Sequence, residues 1–308
     1  MAADSLRTDK IWMDGAMVAY DEANVHILTH SLHYGLAVFE GMRCYKGDNG
    51  RSAIFRAQEH IRRLFDSAHI VEMPMPFGQE ELLKASADVV RVNRLEECYI
   101  RPLAFYGEGE MGLSSRGNRV RVAIAAWPWG AYLGEESVKK GARLKTASVA
   151  RFHHNTLFPM AKASGHYVNS ILAGYEARRG GYDEALLLDV NGFVAEGSGE
   201  NLFVVRDGVV RTPPLASILP GITRDAVIRI LKDAGIPVVE QFFPRDVIYI
   251  ADECFMTGTA AEVTPVRELD DRQIGEGRPG PITQKVQEIF RAALHGRDSR
   301  YGSWLYYV

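Results

Sequence analysis

At 308 residues, with 46% hydrophobic and 24% charged residues, the chain has the make-up of a soluble globular protein and the length for two domains or one large one. A formal net charge of -3, with lysine and arginine scattered, leaves no basic stripe and excludes a nucleic-acid partner. Residues 1–10 are polar and give no signal peptide, the apolar run 122–134 is too short to span a membrane and is broken by Pro128, and the separated Cys44, Cys98 and Cys254 read as reduced core thiols of a cytoplasmic protein.

From the N-terminus, residues 10–17 and 23–28 read as short strands joined by Asp14-Gly15 and acidic turns. The stretch His30-Ser31-Leu32-His33-Tyr34-Gly35 leads into 38–45, which is strand-like. Ile61, Leu64, Phe65 and Ala68 recur at helical spacing, so 57–70 is predicted as an amphipathic helix, with a second over 79–95. Residues 97–105 alternate as a strand that puts Tyr99, Arg101 and Leu103 on one face. A tyrosine and an arginine so placed can bind a carboxylate together. The competing reading is a solvated face at a sheet edge, which Pro102 favours. A further strand, 120–126, runs into turn residues and aromatics at 127–134, where a domain boundary is expected.

Beyond it, 142–149 reads as a strand and 165–179 as a helix ending at Gly180-Gly181. Segments 185–189, 193–195, 201–205 and 209–211 form a meander turned at Asn191-Gly192 and Asp207-Gly208. A helix opens at Pro220-Gly221-Ile222-Thr223 and closes at Gly235. Two strands, 237–240 and 253–256, precede the small-residue turn Thr257-Gly258-Thr259-Ala260-Ala261, and a helix over 283–294 precedes an aromatic tail.

Chemistry concentrates at Lys162, one of nine lysines, which sits in Ala161-Lys162-Ala163 with no other charge within several positions. A poorly solvated ammonium has its charged form disfavoured, which makes the amine a usable nucleophile and Schiff-base former. The alternative is a lysine that snorkels at a strand edge. The helix start at Gly221-Ile222-Thr223 offers free amides to a phosphate, against a plain N-cap, and Thr257-Gly258-Thr259 offers a second set. Glu196 lies in a glycine-flanked turn where a carboxylate can approach a cofactor edge. Adjacent His153 and His154 project differently and lack metal-site spacing, so no metal is expected.

A lysine, phosphate-binding turns, an acidic residue and a carboxylate-binding pair form the kit of a pyridoxal-phosphate enzyme. Nearly the whole chain resembles the fold-type IV (class IV) aminotransferases, and within them the branched-chain amino-acid aminotransferases. The resemblance rests on His33-Tyr34-Gly35, Val38-Phe39-Glu40-Gly41, Tyr99-Ile100-Arg101-Pro102-Leu103, residues 128–134, Ala161-Lys162-Ala163, Glu196-Gly197-Ser198-Gly199-Glu200-Asn201-Leu202-Phe203, residues 219–224 and Gly258-Thr259-Ala260-Ala261-Glu262. It implies a mixed α/β (α+β) fold of two domains with the cofactor between them: a smaller N-terminal one, 1–128, a loop, 129–136, and a larger C-terminal one, 137–308, carrying the lysine.

It further implies that Lys162 binds pyridoxal 5'-phosphate as a Schiff base and shuttles the proton, that Glu196 pairs with the ring nitrogen and that Tyr167 contacts the phenolic oxygen. Arg63, Ile222, Thr223 and Thr259 are implied to hold the phosphate, with Leu219, Gly199, Gly221 and Gly258 alongside. Pattern alone leaves Arg56, Arg62 and Arg63 equivalent and sets Arg63 opposite the apolar stripe. The α-carboxylate is assigned to Thr259, Ala260 and Tyr99, the distal carboxylate of glutamate to Arg101 and Tyr34, and the side-chain pocket to Phe39, Tyr34, Trp129, Met111 and Leu113. The implied reaction transfers the amino group of L-leucine, L-isoleucine or L-valine to 2-oxoglutarate in a homo-oligomer, at least a dimer. D-amino-acid or (R)-amine transamination, and a sensor that binds the cofactor without turnover, stand as alternatives. Residues 152–160 and His166 depart from the better-known bacterial members.

Overall fold

The computed structural model describes residues 6–114, 116–129, 136 and 139–308. They divide into two compact units: Met1–Trp129 with Ala161–Gly165 and Ala293–Val308, and Gly130–Met160 with His166–Ala292. A boundary drawn at one point in the sequence leaves out both returns of the chain to the first unit. The loop expected at 129–136 lies, from 130 to 135, outside the described residues.

The first unit is built on strands β1 (Lys10–Met13), β2 (Ala16–Ala19), β3 (Ala37–Phe39), β4 (Met42–Lys46), β5 (Ser52–Phe55), β6 (Cys98–Tyr106) and β7 (Val120–Trp127). Later in the chain, β8 (Ala142–Thr146), β9 (Glu184–Leu188), β10 (Val194–Gly197), β11 (Asn201–Arg206), β12 (Val209–Thr212), β13 (Val238–Glu240), β14 (Glu253–Gly258), β15 (Glu262–Leu269) and β16 (Arg272–Gln273) belong to the second, and the aromatic tail supplies β17 (Leu305–Tyr307) to the first. Sheet order in the first unit is β17-β5-β4-β6-β7-β1-β2, with β3 also on β6. Helices Ala57–Ile70 and Gln79–Val92 cover it: Ile61, Leu64, Ala68 and Leu82 join Met42, Ile54, Ile100 and Ile124 in one buried cluster. Each of the Ile, Leu and Met side chains contributes about 1.5–3 kcal/mol by leaving water.

β6 is an interior strand, so the edge reading of Pro102 is set aside. The proline is tolerated because the neighbouring strand is interrupted opposite it, between Phe39 and Met42, where Glu40 N–H donates to Pro102 O at 2.8 Å. Residues 23–28, expected as a strand, form none: the Asp14-Gly15 turn already closes the β1–β2 hairpin, and the chain leaves it through a short 3-10 turn.

In the second unit the order is β10-β9-β8-β15-β14-β11-β12-β13, and β10 also pairs with β11. Strands β10, β9, β8, β15, β14 and β11 therefore follow one another in a closed ring, a barrel whose edges are used up by closure. Among the described residues the ring closes through one register pair, Glu196↔Asn201. The interior carries Leu144, Leu186, Leu202, Met256 and Val266 in one apolar cluster. The helix Ile222–Asp233 buries Ile222, Ala226, Val227, Ile230 and Leu231, and Gly235, at φ 70°, ends it in the left-handed conformation that glycine adopts freely.

Candidate functional site

The segment around Lys162 is held by its backbone. Phe39 N–H donates to Lys162 O at 3.0 Å, Lys162 N–H donates to Ser67 Oγ at 2.9 Å, Val38 pairs with Ala163, and Gly165 N–H donates to Gly35 O at 3.1 Å. Ala161 and Ala163 are buried, as the small-residue setting predicts. The ammonium lies 4.8 Å over the Phe39 ring. Burial, then the positive charge of Arg63, pushes its pKa from 10.5 down to about 8, against an opposing pull from Glu40.

The helix Ala57–Ile70 brings the neighbouring charges. His60, Arg63 and Ser67, three and four residues apart, share a face. All are buried, Arg63 at 9% exposure, whereas the Arg62 side chain is 76% exposed and Arg56 is taken up by Glu59 and the Trp304 ring. Arg63 is therefore not the solvated residue that the apolar stripe predicts. Its Nε and Nη2 donate to the two carboxylate oxygens of Glu40, at 2.6 and 2.9 Å, and His60 Nδ1 lies 2.7 Å from Glu40 Oε2. Burial alone would raise the Glu40 carboxyl, but Arg63 and His60 together hold it well below the usual carboxylate range. Burial pushes the His60 imidazolium down, so a neutral ring donating its Nδ1–H to Glu40 is the form that fits.

On β6, Tyr99 and Arg101 share a face as the alternation predicts. The Arg101 guanidinium lies 4.8 Å from the Phe39 ring, 5.2 Å from Tyr99 and 5.8 Å from Trp127, and the Trp129 ring packs tilted against Tyr99 at 5.0 Å. Arg101 Nε is buried with no hydrogen-bond partner among the described residues. Gly41 makes this possible, since a Cβ there would fall 1.8 Å from the Tyr99 hydroxyl oxygen. Phe39, Tyr99, Arg101, Trp129, Arg63 and Lys162 all fall in the first unit, interlinked by these contacts. Tyr34 is 44% exposed beside the His30 ring, and Met111 and Leu113 are exposed at 43% and 93%; the single chain does not draw these three into the cluster.

In the second unit, Glu196 is buried at the barrel's closing pair. Its Oε1 is 2.8 Å from Arg151 Nη2, and its Oε2 accepts from Asn201 Nδ2 at 3.2 Å and Leu219 N–H at 3.1 Å. Asn201 Nδ2 also donates to Leu219 O at 3.0 Å, which ties the carboxylate to the approach of the helix Ile222–Asp233. Gly221 caps that helix in extended conformation, and the first-turn amides of Ile222 and Thr223 point out of it, as helix starts do. A Cβ on Gly221 would fall 1.9 Å from Asn201 Oδ1, and one on Gly258 would fall 3.3 Å from Gly199 O, so backbone replaces side chain at both positions. Thr257 Oγ1, opposite Asn201 in the ladder, is buried with no partner among the described residues. Thr259 and Ala260 form the β14–β15 turn, and Tyr167 opens the helix Tyr167–Arg179.

Sequence reasoning gave no role to Glu40, His60, Ser67 or Arg151. Glu40 carried a weaker form of the signal that exposed Lys162, a charge between Phe39 and Gly41 in a largely apolar run with Arg43 three residues on. Arg151 carried a similar one, between Ala150 and Phe152.

Residues 37–269 match the family described as Amino-transferase class IV. A branched-chain-amino-acid aminotransferase of Pseudomonas aeruginosa is 49% identical over 298 residues, 97% of each chain. The crystal structure of the Escherichia coli branched-chain amino acid aminotransferase superposes with a TM-score of 0.95 at 49% identity, over 97% of this chain and 99% of that one. A thermophilic archaeal counterpart from Thermoproteus uzoniensis, solved with norvaline, gives 0.93 at 45% identity over 97% and 99%. Another branched-chain amino acid aminotransferase, solved with pyridoxamine 5'-phosphate, gives 0.95 at 51% identity over 98% and 99%.

Proposed function

Because the chain belongs to the class IV aminotransferases, and within them to the branched-chain amino-acid group, we propose that it transfers the amino group of L-leucine, L-isoleucine or L-valine to 2-oxoglutarate. The transfer is reversible and ping-pong, with pyridoxal 5'-phosphate as cofactor. The observation that carries this reading is Lys162: an amine with its pKa near 8, clipped by its backbone between small residues, beside a buried arginine and an aromatic-lined one.

The donor set fits the cofactor. A primary amine suits its aldehyde, a buried carboxylate its ring nitrogen, and a buried arginine and the first amides of a twelve-residue helix its phosphate. Thr257 Oγ1 and Arg101 Nε, buried and without a hydrogen-bond partner among the described residues, are polar atoms that suit a bound ligand. When bound, the cofactor supplies an electron-withdrawing ring that stabilises negative charge at the substrate's α-carbon.

The chain's residues do the rest. Lys162 Nζ binds the cofactor and, once displaced by substrate, takes and returns the α-carbon proton, for which a pKa near working pH is suited. Glu196, engaged by Arg151, Asn201 and the Leu219 amide, holds a proton at the ring nitrogen. Tyr167 orients the ring through its phenolic oxygen. Arg63, the amides of Ile222 and Thr223, and Thr259 hold the phosphate, with Gly199, Leu219, Gly221 and Gly258 leaving room. The amides of Thr259 and Ala260 with Tyr99 take the α-carboxylate. Arg101 and Tyr34 take the distal carboxylate of glutamate, and Phe39, Trp129, Met111 and Leu113 enclose the aliphatic side chain.

Exposed Met111 and Leu113, and the apolar Val168, Ile171, Leu172 and Tyr175 on the outer face of Tyr167–Arg179, support a homo-oligomer in which loops serve a neighbouring subunit's pocket. Three free, buried thiols suit a reducing compartment, the cytoplasm.

The test is an anaerobic half-reaction followed by cofactor absorbance, with L-leucine, L-glutamate, D-alanine and (R)-1-phenylethylamine added separately. Rapid conversion by the two L-amino acids and little by the others is the expected result. Conversion by D-alanine or the amine alone would move the protein to another class IV activity.

A further inference from the structure

Arg63 and Lys162 face a third charged group, Glu40, which the reaction leaves unused. Glu40 is fully buried, and each of its oxygens is engaged: Oε1 by Arg63 Nε at 2.6 Å, Oε2 by Arg63 Nη2 at 2.9 Å, by His60 Nδ1 at 2.7 Å and by the Gly41 amide at 3.1 Å. The two-point grip fixes the plane of the guanidinium as well as its position. The backbone repeats the arrangement one residue away, because Phe39 N–H holds Lys162 O and Ser67 Oγ holds Lys162 N–H. One helical face, His60-Arg63-Ser67, and one strand break, Phe39-Glu40, thus hold both the arginine and the lysine.

We propose that Glu40, gripped by His60, is a positioning residue that aims Arg63 at the cofactor phosphate. This rests on the reading of Arg63 as a phosphate holder. Charge and aim make opposite demands here. Counted as charge alone, Glu40 repels a phosphate, and removing it should tighten anion binding. Counted as an anchor, its removal frees the guanidinium to rotate, and binding weakens.

The experiment measures the dissociation constant of pyridoxal 5'-phosphate for the full-length protein and its E40Q, R63Q, E40Q/R63Q, H60L and H60N variants, with a thermal melt of each. Coupled neighbours in one buried network interact strongly, so E40Q is expected to weaken binding about tenfold in the native background and not at all once R63Q is present. H60L should weaken binding in the same direction. H60N, whose amide nitrogen can stand where the ring Nδ1 stands, should restore most of it. Should E40Q fail to fold, the H60L and H60N pair decides. Unchanged or tighter binding by E40Q, equal loss by E40Q in both backgrounds, or no rescue by H60N would overturn the proposal. If R63Q itself leaves binding unchanged, the phosphate reading of Arg63 fails, and the inference with it; weak binding by R63Q beside normal binding by E40Q overturns the inference alone.

Discussion

Lys162 is a group the fold holds against its own preference. Its pKa near 8, set first by burial, means that the native protein binds fewer protons than the unfolded chain between about pH 8 and 10.5. The cost of the buried ammonium is therefore fully present below pH 8 and fades as pH rises towards 10.5. In the cofactor-free protein, Lys162→Met should raise unfolding stability at pH 7 by about 2 kcal/mol, while ending turnover. Denaturant titrations at pH 7 and pH 10 check this: the advantage of the variant should shrink at the higher pH, and a constant gap would show that packing, not charge, causes it. Glu40 runs the other way. Its carboxyl is held low by Arg63 and His60, so its contribution is intact above about pH 4.5, its ordinary value, and is lost as acid titrates it, whereas His60, neutral in the fold, favours unfolding once pH drops below 6.5. Lys162 was legible because charge in an apolar run is rare. Glu40 gave a weaker form of that signal, with Arg43 close by, and its meaning depends on His60 and Arg63, twenty and twenty-three residues away.

At the level of elements, two glycines show how backbone makes room for function. Gly41→Ala would press on the Tyr99 hydroxyl and so disturb the aromatic seat of Arg101. Steady-state kinetics should show a raised KM for amino-acid substrates with cofactor affinity retained; a loss of cofactor instead would mean the strand break at Glu40 had shifted. Gly221→Ala would strike Asn201, the residue that joins Glu196 to Leu219, and overpacking of this kind costs about 1–3 kcal/mol. Calorimetry of the cofactor-free and loaded variant should show a larger loss in the loaded form. Apolar spacing made the helix Ala57–Ile70 readable, the start at Gly221 and the stop at Gly235 marked Ile222–Asp233, and Asn191-Gly192 and Asp207-Gly208 located their hairpins. β15 was not read, since Pro265 and the charges of Glu262, Arg267 and Glu268 mask a strand that is nonetheless interior, between β14 and β8. Its partners are supplied by distant parts of the chain, and no local pattern announces them.

At the level of the whole molecule, the returns of Ala161–Gly165 and Ala293–Val308 to the first unit were beyond a linear reading, because a backbone bridge such as Val38↔Ala163 leaves no mark in the sequence. The exposed Leu113 separates fold from assembly. Leu113→Asp lies at 93% exposure and should change the stability of the single chain by less than about 0.5 kcal/mol. If the protein assembles as proposed and a second subunit uses Leu113, kcat/KM for L-leucine should fall well beyond that for small substrates; unchanged kinetics would place the side chain outside the pocket. The closure of the barrel has a separate outcome. Its ring is shut at Glu196↔Asn201, so the residue proposed here for the cofactor's ring nitrogen is also the clasp of the wall. Any ligand that steadies the Glu196 side chain suppresses unzipping of β10 from β11, and by linkage the suppression grows with ligand concentration over its dissociation constant. Amide hydrogen exchange and protease cleavage around 197–200 should then be fast in the empty protein and slow in the loaded one, so that the wall's resistance to a protease reports how much of the protein is loaded.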